Sequence, residues 1–171
     1  MKINMKQHIA ESVCGFRLPR YNEIPNVGLY LEQTTKYING YLEPLGCMEI
    51  TTSMLSNYVK KGLVPNPIKK QYYAEHIAYL FFVTISKTII SLENVNLLLE
   101  MQRQSYSAQQ AYDYMCGQLE NMLLYIFGYK NKMEECGENE SEEKQILYSL
   151  CFSIAHTVHL HARFKSMREE K

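Results

Sequence analysis

The strongest constraint on what this chain can fold into is a pair of heptad seams in its second half. Ala108, Tyr112, Met115, Leu119, Met122, Ile126 and Tyr129 fall at alternating steps of four and three, and Leu147, Cys151, Ile154, Val158 and His161 repeat the pattern. Apolar residues at that spacing share one stripe of a helix. Ser107 with Gln110 forms a capping box for the first helix, and Ser141 caps the second. Two long helices joined by the short Gly- and Glu-rich bend Lys130–Ser141 are expected to fold back as an antiparallel hairpin. Such a hairpin buries little by itself. It must pack on the first half of the chain or on a second copy, so a homodimer is expected.

The first half also reads as helical. Residues 1–18 form a weakly committed leader, and Leu18–Asn26, with Pro19 and Pro25, an extended connector. Pro25 suits a first helical position, so a helix is expected over Asn26–Glu43, with Val27, Leu31, Thr34 or Thr35, Ile38 and Leu42 inward. Pro44 and Gly46 end it. Thr51 or Thr52 caps a second helix running to Lys61, and Gly62 supplies its left-handed C-terminal cap. Leu63–Gln71, with Pro65 and Pro67, cannot be helix and reads as an extended turn or wing. A third helix over Ala74–Ile89 is apolar all round and therefore central; a buried strand through Phe82–Ile85 is the competing reading. Ser91 caps a fourth, with Glu93 in its first turn.

With 171 residues, 46% of them apolar, the chain can bury a core, yet its formal net charge is zero. Any polyanion-binding surface must therefore be local. From Thr51 to Tyr73 the only charged residues are Lys60, Lys61, Lys69 and Lys70; from Glu134 to Glu143 they are all acidic, as in a solvated loop. The five cysteines include no Cys-x-x-Cys pair, so reduced, mostly packed thiols are expected. The N-terminus is too polar for a signal peptide, and the longest apolar run, Ile77–Ile85, is far below the roughly 20 residues of a membrane span. A cytoplasmic protein without a membrane segment is expected. No phosphate loop, Gly-x-Ser-x-Gly or His-Glu-x-x-His occurs, so no enzyme and no cofactor is expected. His156 and His159 share a helical face without a third ligand nearby, and His161 lies on the seam; a surface pair plus one packed histidine is expected rather than a metal site.

The helix Thr51–Lys61 carries the candidate site. Leu55, Tyr58 and Val59 form its inward stripe. Ser53, Ser56, Asn57 and Lys60 form an outward one, rich in donors and free of acids. Asparagine bonds adenine through two contacts, serine adapts to base edges or phosphate, and lysine neutralises phosphate. Thr51 and Thr52 add the free amides of a helix start, and Lys61, Lys69 and Lys70 further cations. Four lysines on phosphates give a salt slope on the order of −3.6.

The run Leu55–Pro65, through Leu55, Tyr58, Lys60, Lys61, Gly62, Leu63 and Pro65, resembles the second helix and turn of the MerR-type winged helix-turn-helix. Tyr72 and Tyr73 resemble the aromatic pair closing that family's wing. The Leu18–Pro25 opening, Leu29–Gln33 and Asn57–Lys60 are similar to an uncharacterised bacterial domain-of-unknown-function family with this kind of helix-turn-helix. The resemblance implies an all-α fold with a MerR-like winged helix-turn-helix over 16–102 and a dimerising or partner-binding helical region over 103–171. It implies a transcription regulator binding double-stranded DNA through Thr51, Thr52, Ser53, Ser56, Asn57, Lys60, Lys61, Lys69, Lys70 and Tyr72, with any small-molecule effector unknown. Ser56 stands where the family carries arginine, and the wing segment Ile68–Gln71 lacks glycine and arginine. These departures motivate the main rival to that regulator reading, a protein-interaction module that kept the helix-turn-helix fold and has lost DNA binding.

Overall fold

The computed structural model describes residues 9–133, 137 and 139–169. Its helices are α1 (Leu31–Leu42), α2 (Thr52–Lys60), α3 (Ala74–Ser86), α4 (Leu92–Ser105), α5 (Ala108–Ile126) and α6 (Glu142–Glu169), with short 3-10 turns at Tyr21–Glu23 and Glu43–Leu45. The fold is all-α. Thr51, Ser91 and Ser107 each accept a backbone N–H at the head of α2, α4 and α5, so the cap residues expected from sequence set these starts.

Helix α3 is the centre. Every residue of it is buried except Glu75, which is exposed, and Phe82, which is half-buried. It touches all five other helices and the Tyr21–Glu23 turn. A helix apolar on every side has no face for water, so the rest of the chain must wrap it. The strand reading of Phe82–Ile85 is thereby settled as helix, which ends at Ser86 rather than Ile89.

The expected antiparallel hairpin is a further correction: Glu143 and Lys144 at the head of α6 lie against Ser105 and Tyr114, beside the head of α5, whereas His159 lies against Phe127 at its far end, so the two helices run side by side in the same direction, both packing on α3 and α4. Tyr112, Met115, Leu119 and Met122 of the first seam are buried, as are Cys151, Ile154 and Val158 of the second. His161 is a correction: it is exposed. Helix α5 has 19 residues and α6 has 28, so the end of α6 extends past its partner and the seam closes at Val158. His156 and His159 rest edge-on against Phe152 and Phe127, at 4.6 and 5.0 Å between ring centroids. Burial, then the nearby charge of Arg163, keeps His159 below its ordinary pKa. Among the described residues no group of three metal-binding side chains forms, and no helix is long and apolar enough to cross a membrane. Cys116 and Cys151 are buried free thiols, each pushed up to about 12, chiefly by burial, and so held protonated. Glu134, Glu135 and Glu138 of the acidic bend, with Cys136, lie outside the described residues.

Two expectations fail in the first half. Asn26–Tyr30 is extended, not helical. Gly28 adopts φ +79°, and Leu29 exchanges both backbone hydrogen bonds with Tyr72 at 2.8 Å, so Pro25 opens no helix. The MerR-like winged helix-turn-helix is also absent. Among the described residues there is no β-strand, only two isolated antiparallel bridges, so no wing exists. Between α1 and α2 lie residues 43–51, including a 3-10 turn, where a helix-turn-helix uses a turn of about three or four residues. The DNA-binding arrangement that depended on those two parts is therefore not the one this chain builds.

The N-terminal connector is stapled to α5 by two carboxylates. Arg20 grips Glu120 with both guanidinium nitrogens, at 2.8 and 2.6 Å, while Glu120 also accepts the Leu18 N–H at 2.9 Å. Asp113 accepts the Tyr21 N–H at 2.8 Å. The hydrogen bond to Glu120 raises the Arg20 pKa and keeps the guanidinium charged. The pair is half-buried, between the weak surface case and the strong interior one. Glu120→Ala should lower unfolding free energy by about 2 kcal/mol, read as a lower urea midpoint at unchanged m. An unmoved midpoint would make the staple incidental.

Candidate functional site

Helix α2 is positioned from below. The Asn39 side chain of α1 holds both backbone groups of Ile50, each at 2.8 Å, and so fixes where α2 begins. Leu55 and Tyr58 enter the core at 0% and 2% exposure. At the far end Gly62 adopts φ +74°, Gly62 N–H returns to Val59 and Leu63 N–H to Tyr58, both at 3.0 Å, as in a glycine-terminated helix. Lys87 lies beneath. Its ammonium sits 5.6 Å from the centre of the Tyr58 ring and donates to Met54 Sδ at 3.6 Å. Burial lowers the Lys87 pKa, with Glu49 opposing.

The outward stripe is placed as the spacing implied. Ser53, Ser56, Asn57, Lys60 and Lys61 are exposed, and Thr52 is half-buried. Thr51 is exposed, but its hydroxyl oxygen is committed to the Met54 N–H at 3.2 Å. Tyr72 sits elsewhere. It is 6% exposed, edge-on to His76 at 5.8 Å, and bridged through its backbone to Leu29. Its side chain is core, while its backbone anchors what lies on either side.

Lys69 and Lys70 form the tip of a tight turn. Ile68 and Gln71 exchange backbone hydrogen bonds at 3.0 and 2.9 Å around them. Both lysines have positive φ, 49° and 65°, the two-residue turn geometry usually filled by Asn-Gly. A non-glycine residue there costs on the order of 1 kcal/mol. The surroundings impose it: Tyr73 donates its hydroxyl to the Gln71 side chain at 3.3 Å, and Gly28 lies so close that a Cβ would meet Gln71 Oε1 at 2.9 Å. Below, His76 accepts the Tyr73 N–H on Nδ1 at 3.0 Å, leaving Nε2–H to donate to the Asn66 carbonyl at 3.0 Å. This ties the connector 63–73 to the head of α3.

Around that turn the sequence reading missed the apolar part of the surface. Val27, Tyr30 and Ile68 are 79%, 56% and 57% exposed. Val27 and Tyr30 flank the Gly28–Leu29 step that packs on Gln71 and pairs with Tyr72, and Ile68 pairs with Gln71, so the three sit at two bridges that adjoin through Gln71 and Tyr72. The signal was present, since a non-helical Val27 has no core to enter, but it was hidden by assigning the segment to a helix. Among the described residues, Lys60, Lys61, Lys69 and Lys70 form no ion pair.

Residues 19–115 match a family described as a domain of unknown function (DUF1836). The chain belongs to the DUF1836 family. No curated protein and no solved structure matches it. The DUF1836 match takes in the stapled connector, α1 to α4, the α2 stripe and the Lys69–Lys70 turn, and stops within α5. It brings the uncharacterised family without the winged, MerR-like architecture.

Because the turn is strained by residue type, Lys69→Asn with Lys70→Gly should raise unfolding free energy by about 1 kcal/mol, read as a higher thermal midpoint. A lower midpoint would show that these lysines make stabilising contacts of their own.

Proposed function

We propose that this protein is an interaction module that docks an acidic, apolar-rich segment of a partner protein on the face built by Val27, Tyr30, Ile68, Lys69 and Lys70. The carrying observation is the exposure of three large apolar side chains at two adjoining bridges, beside two cations without an ion pair among the described residues. Clustered exposed apolar residues mark protein contacts more than phosphate contacts, and the lysines add attraction and register. The rigid, strained turn is held ready before any partner arrives, which lowers the ordering cost of docking.

Duplex DNA is the competing polyanion. The exposed, acid-free stripe Ser53, Ser56, Asn57, Lys60 and Lys61 has suitable chemistry for it. The two partners separate by salt dependence. With the full chain immobilised, a library of short random peptides should enrich sequences combining Asp or Glu with Leu or Phe. Lys69→Glu with Lys70→Glu, and separately Ile68→Asp, should weaken the selected peptides by about tenfold or more. Random duplex should bind weakly at physiological salt. Duplex binding with a log–log salt slope near −3.6, abolished by Lys60→Glu with Lys61→Glu, would overturn the interaction reading in favour of DNA.

Dimerisation belongs to the same proposal. Past the end of α5, α6 carries Leu160, Phe164 and Met167 at 52%, 57% and 44% exposure, again at steps of four and three. A second copy is the natural cover for a seam that outruns its own partner. Sedimentation should give twice 20.0 kDa, returning to 20.0 kDa in Leu160→Glu with Phe164→Glu. A wild-type monomer at micromolar concentration would refute the assembly and leave the docking face untouched.

A further inference from the structure

Helices α3, α4, α5 and α6 line a partly open cavity of about 300 Å³ that lies apart from the docking face. Its walls are largely apolar and include aromatic rings, with Tyr79 and Phe82 from α3, Leu98 from α4, Tyr112 and Met115 from α5 and Leu147 from α6. The space exists because Ala108 and Ala111 stand on the α5 side, where larger residues would fill it.

The polar groups at the rim are already engaged with one another. Tyr79 donates its hydroxyl to Gln102 Oε1 at 3.3 Å, and Gln102 Nε2 donates to the Tyr106 carbonyl at 2.7 Å. Glu143 accepts the Ser105 hydroxyl at 2.8 Å. Lys144 pairs with Glu140 at 2.9 Å and lies 5.4 Å from the centre of the Tyr114 ring; Arg103 lies 5.4 Å from that of Tyr79. Two consequences follow. Tyr79 is pinned between Gln102 and Arg103, which holds that wall of the space in place. Most of the lining is apolar and Lys144 is already paired with Glu140, so a charged ligand would bear a desolvation cost that the few rim groups do not offset.

Size narrows the class further. An apolar cavity of about 150 Å³ holds one benzene ring. Twice that volume suits two fused rings, and tyrosine and phenylalanine walls favour a flat aromatic guest through offset and edge-on packing. We infer that this cavity binds a neutral aromatic molecule about the size of a fused bicycle. The inference is independent of the docking face and of dimerisation.

Naphthalene added to the full chain tests it. The chain has no tryptophan, so tyrosine emission transferred to bound naphthalene reports occupancy directly. Binding should be saturable and one-to-one. Ala111→Phe should fill the space and weaken naphthalene at least tenfold while the helical circular dichroism stays unchanged; Ala108→Leu, from the same side, does the same should the first variant not fold. Phe82→Ala should widen the cavity and admit anthracene, which the wild type excludes. Non-saturable naphthalene uptake, wild-type affinity in the filled variants, or tighter binding of n-decanol than of naphthalene would overturn the assignment.

Discussion

Helix α3 has no polar side to offer water, and the rest of the structure answers to that. Its buried residues from Ala74 to Ser86 contact every other helix, so the chain folds around it rather than beside it. Burying each large apolar side chain is worth about 1.5–3 kcal/mol, and no other helix of this length presents so continuous a run. The three caps, the Arg20–Glu120 staple and the side-by-side α5–α6 pair all serve to close layers around this rod. Both surfaces given a role above are measured from it. Its head, through His76, holds the connector that ends in the Lys69–Lys70 turn; its middle, through Tyr79 and Phe82, walls the cavity.

That common origin explains why the strained turn persists. Two consecutive lysines with positive φ would relax in an isolated hairpin, since nothing intrinsic favours them there. Here the backbone pairing of Leu29 with Tyr72, the close approach of Gly28 to Gln71 and the grip of His76 on Asn66 fix both ends. Strain is retained where the surroundings over-determine the conformation, and such places tend to be functional. The result is a projecting pair of cations whose positions are set by the core rather than by loop flexibility.

How far this was legible from sequence depends on whether the controlling interaction was local. Thr51, Ser91, Ser107 and Gly62 act within a turn of their own helices, and their positions were read from chemistry alone. The buried seam residues followed from spacing, up to the point where α5 runs out; His161 kept the spacing but lost the partner. The Asn26–Tyr30 segment failed because a proline before polar and apolar residues has the pattern of a helix start, whereas its fate is decided by pairing with Tyr72, far along the chain. The winged architecture failed for a related reason. Similarity at Leu55–Pro65 speaks for α2 and its glycine cap, which do form, but not for strands that the Pro65–Gln71 segment has too few residues to build. The cavity was invisible because its four walls meet only in the folded chain.

The docking face illustrates the same division. Its cations were found at once, since an acid-free stretch with four lysines in a neutral chain stands out. Its apolar half was not, because the exposure of Val27 and Tyr30 becomes readable only once the backbone between them is known to be extended. This changes the chemistry of the surface. Lysines alone suit any polyanion, and with phosphates their attraction fades steeply with salt. Lysines set among Val27, Tyr30 and Ile68 suit a partner that brings carboxylates and apolar side chains together, because dehydrating the apolar part strengthens the ionic part. The Leu29–Tyr72 bridge holds the segment that carries Val27 and Tyr30 in its extended form, so the apolar half of the face exists only because that segment is not the helix its pattern suggested.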